Sequence, residues 1–194
     1  IRQEDYRAIL VGLQLERERD ITESMDELQG LAEAAGITVL GRLLQARERP
    51  ENATYLGKGK VEELEELCAA MEADTVVFNS ELTGVQLRNL DEKLSVRIID
   101  RTMLILDIFA SRAVSREGKL QVELAQLQYR LPRLTGFGKT LSRLGGGIGT
   151  RGPGEKKLET DRRHINRRMD EIKSEIEELK QTRRTQRAKR ERSG

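Results

Sequence analysis

The sequence predicts an α/β fold: a small four-stranded parallel sheet with flanking helices, followed by a long antiparallel α-helical hairpin of the coiled-coil type. Four short apolar runs alternate with amphipathic segments over residues 1–111, which is typical of strands covered by helices on both faces. Beyond them, apolar residues recur only at helical spacing. Charge divides at the same place, because residues 1–111 carry 13 Lys/Arg and 22 Asp/Glu, whereas residues 112–194 carry 22 and 11. We therefore expect two domains, 1–111 and 112–194, the second with a polyanionic partner.

The strands are predicted at residues 7–15, 37–45, 75–78 and 96–99. Each is a run of mainly aliphatic residues of strand length. Since the runs are apolar on both faces, they indicate a compact sheet with helices on both sides.

Apolar residues three or four positions apart predict a helix after each of the first three strands. Gly36 is expected to end the first helix. The third helix opens on a capping box formed by Thr83 and Gln86. The inner faces consist of Ile21, Met25, Leu28 and Leu31, then Val61, Leu64, Leu67 and Met71, then Leu87, Leu90 and Leu94.

A helical hairpin is predicted after the fourth strand. Helical spacing continues through Met103, Leu106, Phe109 and Ala110, and then through leucines spaced four and three apart, which Pro132 is expected to stop. Residues 133–154 contain eight glycines and many cations, and they predict a basic loop. A second helix, about residue 155 to 190, is ~55 Å long at 1.5 Å per residue. The helix-packing residues are Leu120, Leu124, Leu127 and Leu131, and Leu158, Ile165, Met169, Ile172, Ile176 and Leu179.

Several functional classes find no support in the residues. The single cysteine, Cys68, forms no internal disulfide and is expected to be a buried structural thiol of a cytoplasmic protein. No apolar run is long enough to cross a bilayer. The only histidine, His164, is expected on the surface, with no metal-ligand partners. Asp100, Arg101 and Asp107 are interpreted as structural, through a helix start or an ion pair. No catalytic constellation is visible, so this chain is not expected to be an enzyme or to hold a cofactor.

Two apparent nucleotide-binding motifs fail on their context. Gly138 to Thr140 resembles the end of a phosphate-binding P-loop, but Arg133 occupies the position of the required first glycine, and no strand precedes it. Gly147 to Gly152 satisfies the letters of the dinucleotide fingerprint, but it follows a helix and loop, and Pro153 comes directly after it. Neither motif therefore predicts a nucleotide site.

The basic loop predicts an RNA-binding surface. Between Arg130 and Arg168 there are 11 Lys/Arg and three Asp/Glu. Glycines let a backbone lie close to phosphates or bases, and arginines bind phosphates or stack on unpaired bases. RNA is favoured over DNA because no groove-reading helix module is recognisable. The candidate RNA-binding residues are Arg133, Lys139, Arg143, Gly145, Gly146, Gly147, Gly149, Arg151, Gly152, Lys156, Arg162 and Arg163.

A second candidate site precedes the second helix. Gly57, Lys58, Gly59 and Lys60 stand at its predicted N-terminus, where free N–H groups favour an anion. The segment can hold a phosphate, or its glycines can serve only to shape the turn. The sequence leaves both interpretations open.

Four ordered motifs together resemble the HflX family of translational GTPases. They are residues 55–60 (YLGKGK), residues 97–109, residues 118–127 (GKLQVELAQL), and residues 146–155 (GGIGTRGPGE) running on to Arg163. The fourth motif is the most specific, and the resemblance spans almost the whole chain.

The resemblance implies a parallel α/β subdomain, a long helical hairpin, and a Ras-like GTPase domain that would use GTP and Mg²⁺. It further implies binding to the large ribosomal subunit and its rRNA near the peptidyl-transferase region, and, in some members, ribosome splitting or rescue. The implied contact region is Arg143, Gly145 to Gly147, Gly149, Arg151, Gly152, Arg162 and Arg163. The family's P-loop is missing here, so we expect a monomeric chain, truncated before its GTPase domain, that does not hydrolyse GTP.

Two other functions stay open on the residues alone. A doubly wound domain could bind a nucleotide at the carboxyl ends of its strands, with Asn79 to Glu81 lining the cleft and an enzymatic role. Alternatively, the long second helix could form a coiled-coil scaffold that dimerises.

Overall fold

The computed structural model describes residues 6–16, 20–144 and 153–192, with side chains outside 135–144 and 153–158. The chain folds into two compact units, Ile1–Ile108 and Phe109–Gly194. The sequence-based boundary falls three residues further on, at 111. Each unit has its own apolar core.

The first unit is built on one parallel sheet. Its strands are β1 (Arg7–Leu15), β2 (Thr38–Arg47), β3 (Thr75–Phe78) and β4 (Arg97–Asp100), in the order β2-β1-β3-β4. Val11 pairs with Phe78, and Phe78 pairs with Asp100, so these strands reach a common carboxyl edge in register. The predicted four-stranded parallel sheet is therefore confirmed, with β2 and β4 each beginning one residue later than expected.

Helices cover both faces of this sheet. They are α1 (Thr22–Ala34), α2 (Lys58–Met71), α3 (Gly84–Lys93) and α4 (Arg101–Arg112). Successive residues of a strand point to opposite faces. Ile9 and Val11 accordingly pack in one cluster with Leu64 of α2 and Leu90 of α3. Leu10 packs in the other cluster with Met25 and Leu28 of α1 and Leu104 of α4.

The predicted helix boundaries are largely confirmed. α1 ends at Ala34, just before Gly36, which adopts a positive φ of 80° that favours glycine. The Thr83 hydroxyl accepts from the Gln86 N–H, and the Gln86 side chain accepts from the Thr83 N–H, which completes the capping box. In α4 the buried residues are Leu104 and Ile108, whereas Phe109 is more than half exposed.

The second unit is an antiparallel pair of long helices, α5 (Arg116–Leu144) and α6 (Pro153–Glu191). Their core consists of Leu120, Ile172 and Ile176, with Leu124, Leu127 and Leu179 packed against it. Cross-helix ion pairs join Glu123 to Arg168 and Glu117 to Arg183, so positions later on α5 meet earlier positions on α6. The predicted hairpin is thus confirmed.

The prediction that Pro132 ends the first hairpin helix is wrong, because α5 continues through it to Leu144. Proline lacks the N–H of a helical bond and crowds the preceding turn, but it can bend a helix rather than end it. Pro132 is exposed, and the turns before it pack against α6 through Leu124 and Leu127. The predicted loop at 133–154 consequently shrinks, since 133–144 belong to α5 and α6 begins at Pro153.

Candidate nucleic-acid interface

The α5–α6 hairpin carries the candidate interface. In the middle of the hairpin, a cluster of ion pairs around Arg168 links the two helices. The Arg168 guanidinium donates from Nε to Glu123 Oε1 at 2.8 Å and from Nη2 to Glu123 Oε2 at 3.0 Å. Its remaining nitrogen lies 3.5 Å from Glu171 and 3.4 Å from Glu175. The Arg168 hydrogen bonds hold the pKa of Glu123 below its usual range. Arg168 is therefore a structural cation of the hairpin, neutralised inside the protein.

Arg162 and Arg163 lie nearer the start of α6 and face solvent. Arg163 is 74% exposed, and its only ion pair among the described residues is an i,i+4 contact with Glu159 at 2.6 Å. No carboxylate in the described part of the chain pairs with Arg162. Exposed i,i+4 pairs are weak and easily exchanged for another anion. These two candidate RNA-binding residues are thus available to a ligand.

Arg133 differs from the loop cation that the sequence suggested, because it belongs to α5. Its guanidinium carbon lies 3.3 Å from the Tyr129 ring centroid, and its Nη1 donates to the Tyr129 carbonyl oxygen at 2.7 Å. The side chain is partly buried on its own helix. An arginine whose guanidinium group lies over an aromatic ring keeps its charge, but its side chain loses conformational freedom.

The other candidate residues are described less completely. Lys139 and Arg143 lie on the backbone of α5, and Lys156 lies on that of α6. Six candidates fall outside the described residues: Gly145, Gly146, Gly147, Gly149, Arg151 and Gly152. For them the RNA-binding interpretation stays a prediction.

The second candidate site, at the start of α2, is partly used by the protein itself. The Gly57 N–H donates to Gln45 Oε1 at 3.0 Å, and Lys60 Nζ pairs with Glu63 at 2.8 Å. A Cβ added at Gly57 would lie 2.5 Å from an Arg47 nitrogen. Lys58 and Gly59 are exposed. The Arg47 nitrogen ends a flexible side chain, so the contact does not by itself require a glycine. The Gly57 N–H and the Lys60 ammonium group are already engaged inside the protein, and the phosphate-binding interpretation stays a prediction.

The carboxyl edge of the sheet, where a doubly wound domain would bind a nucleotide, is occupied by internal contacts. Asn79 Nδ2 donates to Ser24 Oγ at 2.9 Å, and Arg101 Nη1 donates to Asn79 Oδ1 at 2.9 Å. The hydroxyl group of Tyr55 donates to Ser80 Oγ at 2.8 Å. These polar groups therefore tie loops together, and none of the contacts requires a ligand.

Asp100 and Arg101 have the structural roles that the sequence suggested. Asp100 is fully buried, and its two carboxylate oxygens accept the Met103 N–H at 2.9 Å and the Leu82 N–H at 3.0 Å. The first contact caps α4. Arg101 pairs with Glu27 at 2.9 Å.

The burial of Cys68 and the exposure of His164 agree with the predictions. Cys68 is buried on α2, and burial raises the pKa of its thiol. His164 is exposed on α6. Over the residues that the structure describes, no group of three or more His, Cys, Asp and Glu side chains could hold a metal ion. Over the same residues, no helix has the length and apolarity needed to cross a membrane.

Comparison with family models identifies both units. Residues 22–110 match the model "GTP-binding GTPase N-terminal", and residues 112–190 match "GTP-binding GTPase Middle Region". Together the two matches cover β2, β3 and β4 and nearly all of the hairpin, whereas β1 precedes the first match.

Known proteins give the same result. The chain is 59% identical over 179 residues to GTPase HflX of Alkalihalophilus pseudofirmus, which covers 91% of this chain and 42% of that protein. It is 42% identical over 177 residues to GTPase HflX of Escherichia coli, covering 91% of this chain and 41% of that protein. The chain therefore spans less than half the length of these relatives.

Solved structures share the fold. A GTP-binding protein from the hyperthermophilic archaeon Sulfolobus solfataricus in complex with GDP has a TM-score of 0.63 at 23% identity, covering 90% of this chain and 46% of that one. A crystal structure of the SsGBP and GDP complex has a TM-score of 0.69 at 22% identity, covering 93% and 46%. From the two matching models and the high identity to these relatives, the chain belongs to the HflX family of GTP-binding proteins, of which it matches the N-terminal and middle regions.

Proposed function

We propose that this chain is the ribosome-binding region of a GTP-binding protein, and that it docks on the rRNA of the large ribosomal subunit through the far end of the α5–α6 hairpin. The observation that carries the proposal is the excess of 11 cations over three anions between Arg130 and Arg168. Such an excess favours a polyanion over a protein surface of mixed charge.

The structure supports this proposal by separating structural cations from available ones. Arg168 is neutralised by its ion pair with Glu123 in the middle of the hairpin. Arg162 and Arg163 lie nearer the start of α6 and are exposed. The long packed helices α5 and α6 make a stiff arm, because their side chains interlock along Leu120, Ile172 and Ile176. A stiff arm with cations near its end can enter a cavity in folded RNA without a large loss of entropy.

The parent protein's activity is a further part of the proposal. The relatives bear the name GTPase HflX, and this chain matches less than half of each. We assign GTP and Mg²⁺ to a domain outside this sequence, and the splitting or rescue of ribosomes to the full-length cytoplasmic protein. This chain alone is expected to show no GTP hydrolysis.

The test is co-sedimentation of the chain with purified 50S subunits across a salt series. We expect binding that falls steeply as salt rises, because each phosphate contact releases counterions. A variant with Arg143, Arg151, Arg162 and Arg163 all changed to Gln should lose most of that binding. The matched control changes the exposed cations Arg49, Lys93, Lys119 and Lys173 to Gln, which removes the same charge elsewhere.

The proposal would be contradicted if the four-arginine variant bound 50S subunits as well as the control variant does.

The nucleotide-binding alternative makes a different prediction, namely saturable binding of ATP, GTP or a flavin in calorimetry. The internally satisfied carboxyl edge argues against that result. The scaffold alternative predicts a dimer in light scattering. Ile172 is fully buried against α5 within one chain, so the helix face that would dimerise is already covered.

A further inference from the structure

The last third of α6 carries a second cationic surface, at the opposite end of the hairpin from the turn. Between Lys180 and Arg192 there are seven Lys/Arg and one Asp/Glu, and every residue from 181 to 192 is exposed. We call Arg184, Arg187 and Arg190 the distal arginines.

The distal surface continues the packed face of α6. Ile172, Ile176 and Leu179 pack with residues of α5 at spacings of four and three. Arg183, Arg187 and Arg190 follow Leu179 at the same kind of spacing. At 3.6 residues per turn these arginines therefore lie on the side of the helix that is apolar further back. Arg184 lies next to that face. The face of α6 that packs against α5 thus continues beyond Leu179 as a row of arginines.

The change occurs where α5 begins. Arg183 still pairs with Glu117, in the first turn of α5. Beyond Arg183, the distal arginines have few carboxylate partners among the described residues. Arg187 lies 3.9 Å from Glu191 while 85% exposed, and no carboxylate in the described part of the chain pairs with Arg184 or Arg190. In the middle of α6, by contrast, Arg168 pairs with three carboxylates and Lys173 pairs with Asp170.

The helix dipole accounts for only part of this pattern. It favours cations in the last turn of a helix, which in α6 contains Lys189 and Arg190. Arg184 and Arg187 stand before that turn, so the dipole does not explain them. Residues 181–192 are all exposed, so this part of α6 gains little stability from burial against the other described residues. The arrangement therefore suits a ligand with repeated negative charges.

We propose that the distal arginines bind the phosphate backbone of RNA, as a second contact that is separate from the one near the hairpin turn. Guanidinium groups about one helical turn apart can each engage a phosphate, and duplex RNA is recognised mainly through its phosphates and 2′-hydroxyls. Arg163 and Arg187 are 187 − 163 = 24 residues apart, which is ~36 Å along α6. The inference extends the proposed function to a second site on the same arm.

The test measures anisotropy of a fluorescein-labelled RNA duplex of about 16 base pairs, and sedimentation with 50S subunits. The distal variant carries Arg184→Gln, Arg187→Gln and Arg190→Gln, which preserves helix propensity. The matched control carries Arg49→Gln, Lys119→Gln and Lys173→Gln, three exposed cations elsewhere. Circular dichroism should show equal helix content in both.

We expect the distal variant to bind the duplex roughly tenfold more weakly than the control, with the slope of log affinity against log salt reduced by about two to three. Equal affinity and slope for the two variants would overturn the inference, because net charge alone would then explain the binding. Loss of binding to a polyglutamate peptide with unchanged RNA binding would overturn it in favour of an acidic protein partner. If the distal variant binds RNA like its control and the four-arginine variant loses binding to 50S subunits, only the further inference is contradicted. If the distal variant loses RNA binding and the four-arginine variant keeps its binding to 50S subunits, only the proposed function is contradicted.

Discussion

Arg168 and Glu123 form a two-pronged ion pair between α6 and α5, with both N–O distances at or below 3.0 Å. A paired guanidinium and carboxylate in this geometry fix direction as well as distance. The pair therefore helps to set the lengthwise register of the two helices, together with the Glu117–Arg183 ion pair and the aliphatic core of the hairpin.

The pair makes the hairpin sensitive to acid. Because hydrogen bonds from Arg168 lower the pKa of Glu123 in the folded state, the pair stabilises the fold above the ordinary carboxyl pKa of 4.5. That stabilisation disappears as pH falls through the lower, folded value. We expect Glu123→Gln to lower the urea midpoint at pH 7, and the difference from the unaltered chain to shrink below about pH 4.5.

The control for this measurement is Glu178→Gln, because Glu178 is exposed on α6 and its carboxylate has no partner among the described residues. Urea unfolding followed by circular dichroism at 222 nm, from pH 7 to pH 3, gives the comparison. A pH-independent difference between Glu123→Gln and the unaltered chain would contradict this prediction. It would show that Arg168 does not stabilise the ionised form of the Glu123 carboxylate.

Ile172 is the fully buried residue at the centre of the hairpin core. We expect Ile172→Ala to reduce the free energy of unfolding by about 3 kcal/mol, because it removes apolar contacts and leaves a cavity. Ser174→Ala, two residues away and exposed, should change it by less than about 0.5 kcal/mol. Urea denaturation checks both. A loss below about 1 kcal/mol for Ile172→Ala would mean that α5 and α6 do not pack on this face.

Pro132 stands inside α5, on the exposed side. We expect Pro132→Ala to raise the free energy of unfolding by up to about 3 kcal/mol, because alanine restores the missing N–H donor and removes the clash with the preceding turn. The exposed residue Gln128, about one turn earlier on α5, offers Gln128→Ala as the control. If α5 ended at Pro132, the proline substitution would change stability no more than the control does.

The predicted strands and most of the helices agree with the structure, and the reason is local. Each strand is an uninterrupted apolar run between turn residues, and each helix repeats its apolar residues at three or four positions, so neighbouring residues suffice to define them. The capping box of Thr83 and Gln86 lies within four residues and was equally visible in the sequence. Pro132 was misjudged because the packing of α5 against α6 involves residues some forty positions away, which a local rule does not weigh.

In the candidate site, too, some features could be predicted from the sequence and others depend on packing. Composition identified a basic segment, because charge is counted along the chain without reference to distance. It could not separate Arg168, which is bound by Glu123, from Arg162 and Arg163, which face solvent. Nor could it show that the Gly57 N–H donates to Gln45 and that Lys60 pairs with Glu63.

By itself, the sequence determined the order of strands and helices, the change from an acidic to a basic half, and the resemblance to one family. These depend on the identity and spacing of residues, which the chain carries in full. Only the tertiary structure decided which cations are neutralised, because ion pairing depends on side chains brought together by packing. It also decided that the apolar face of α6 becomes a row of arginines where α5 begins, since only the pairing of the two helices shows where one partner stops.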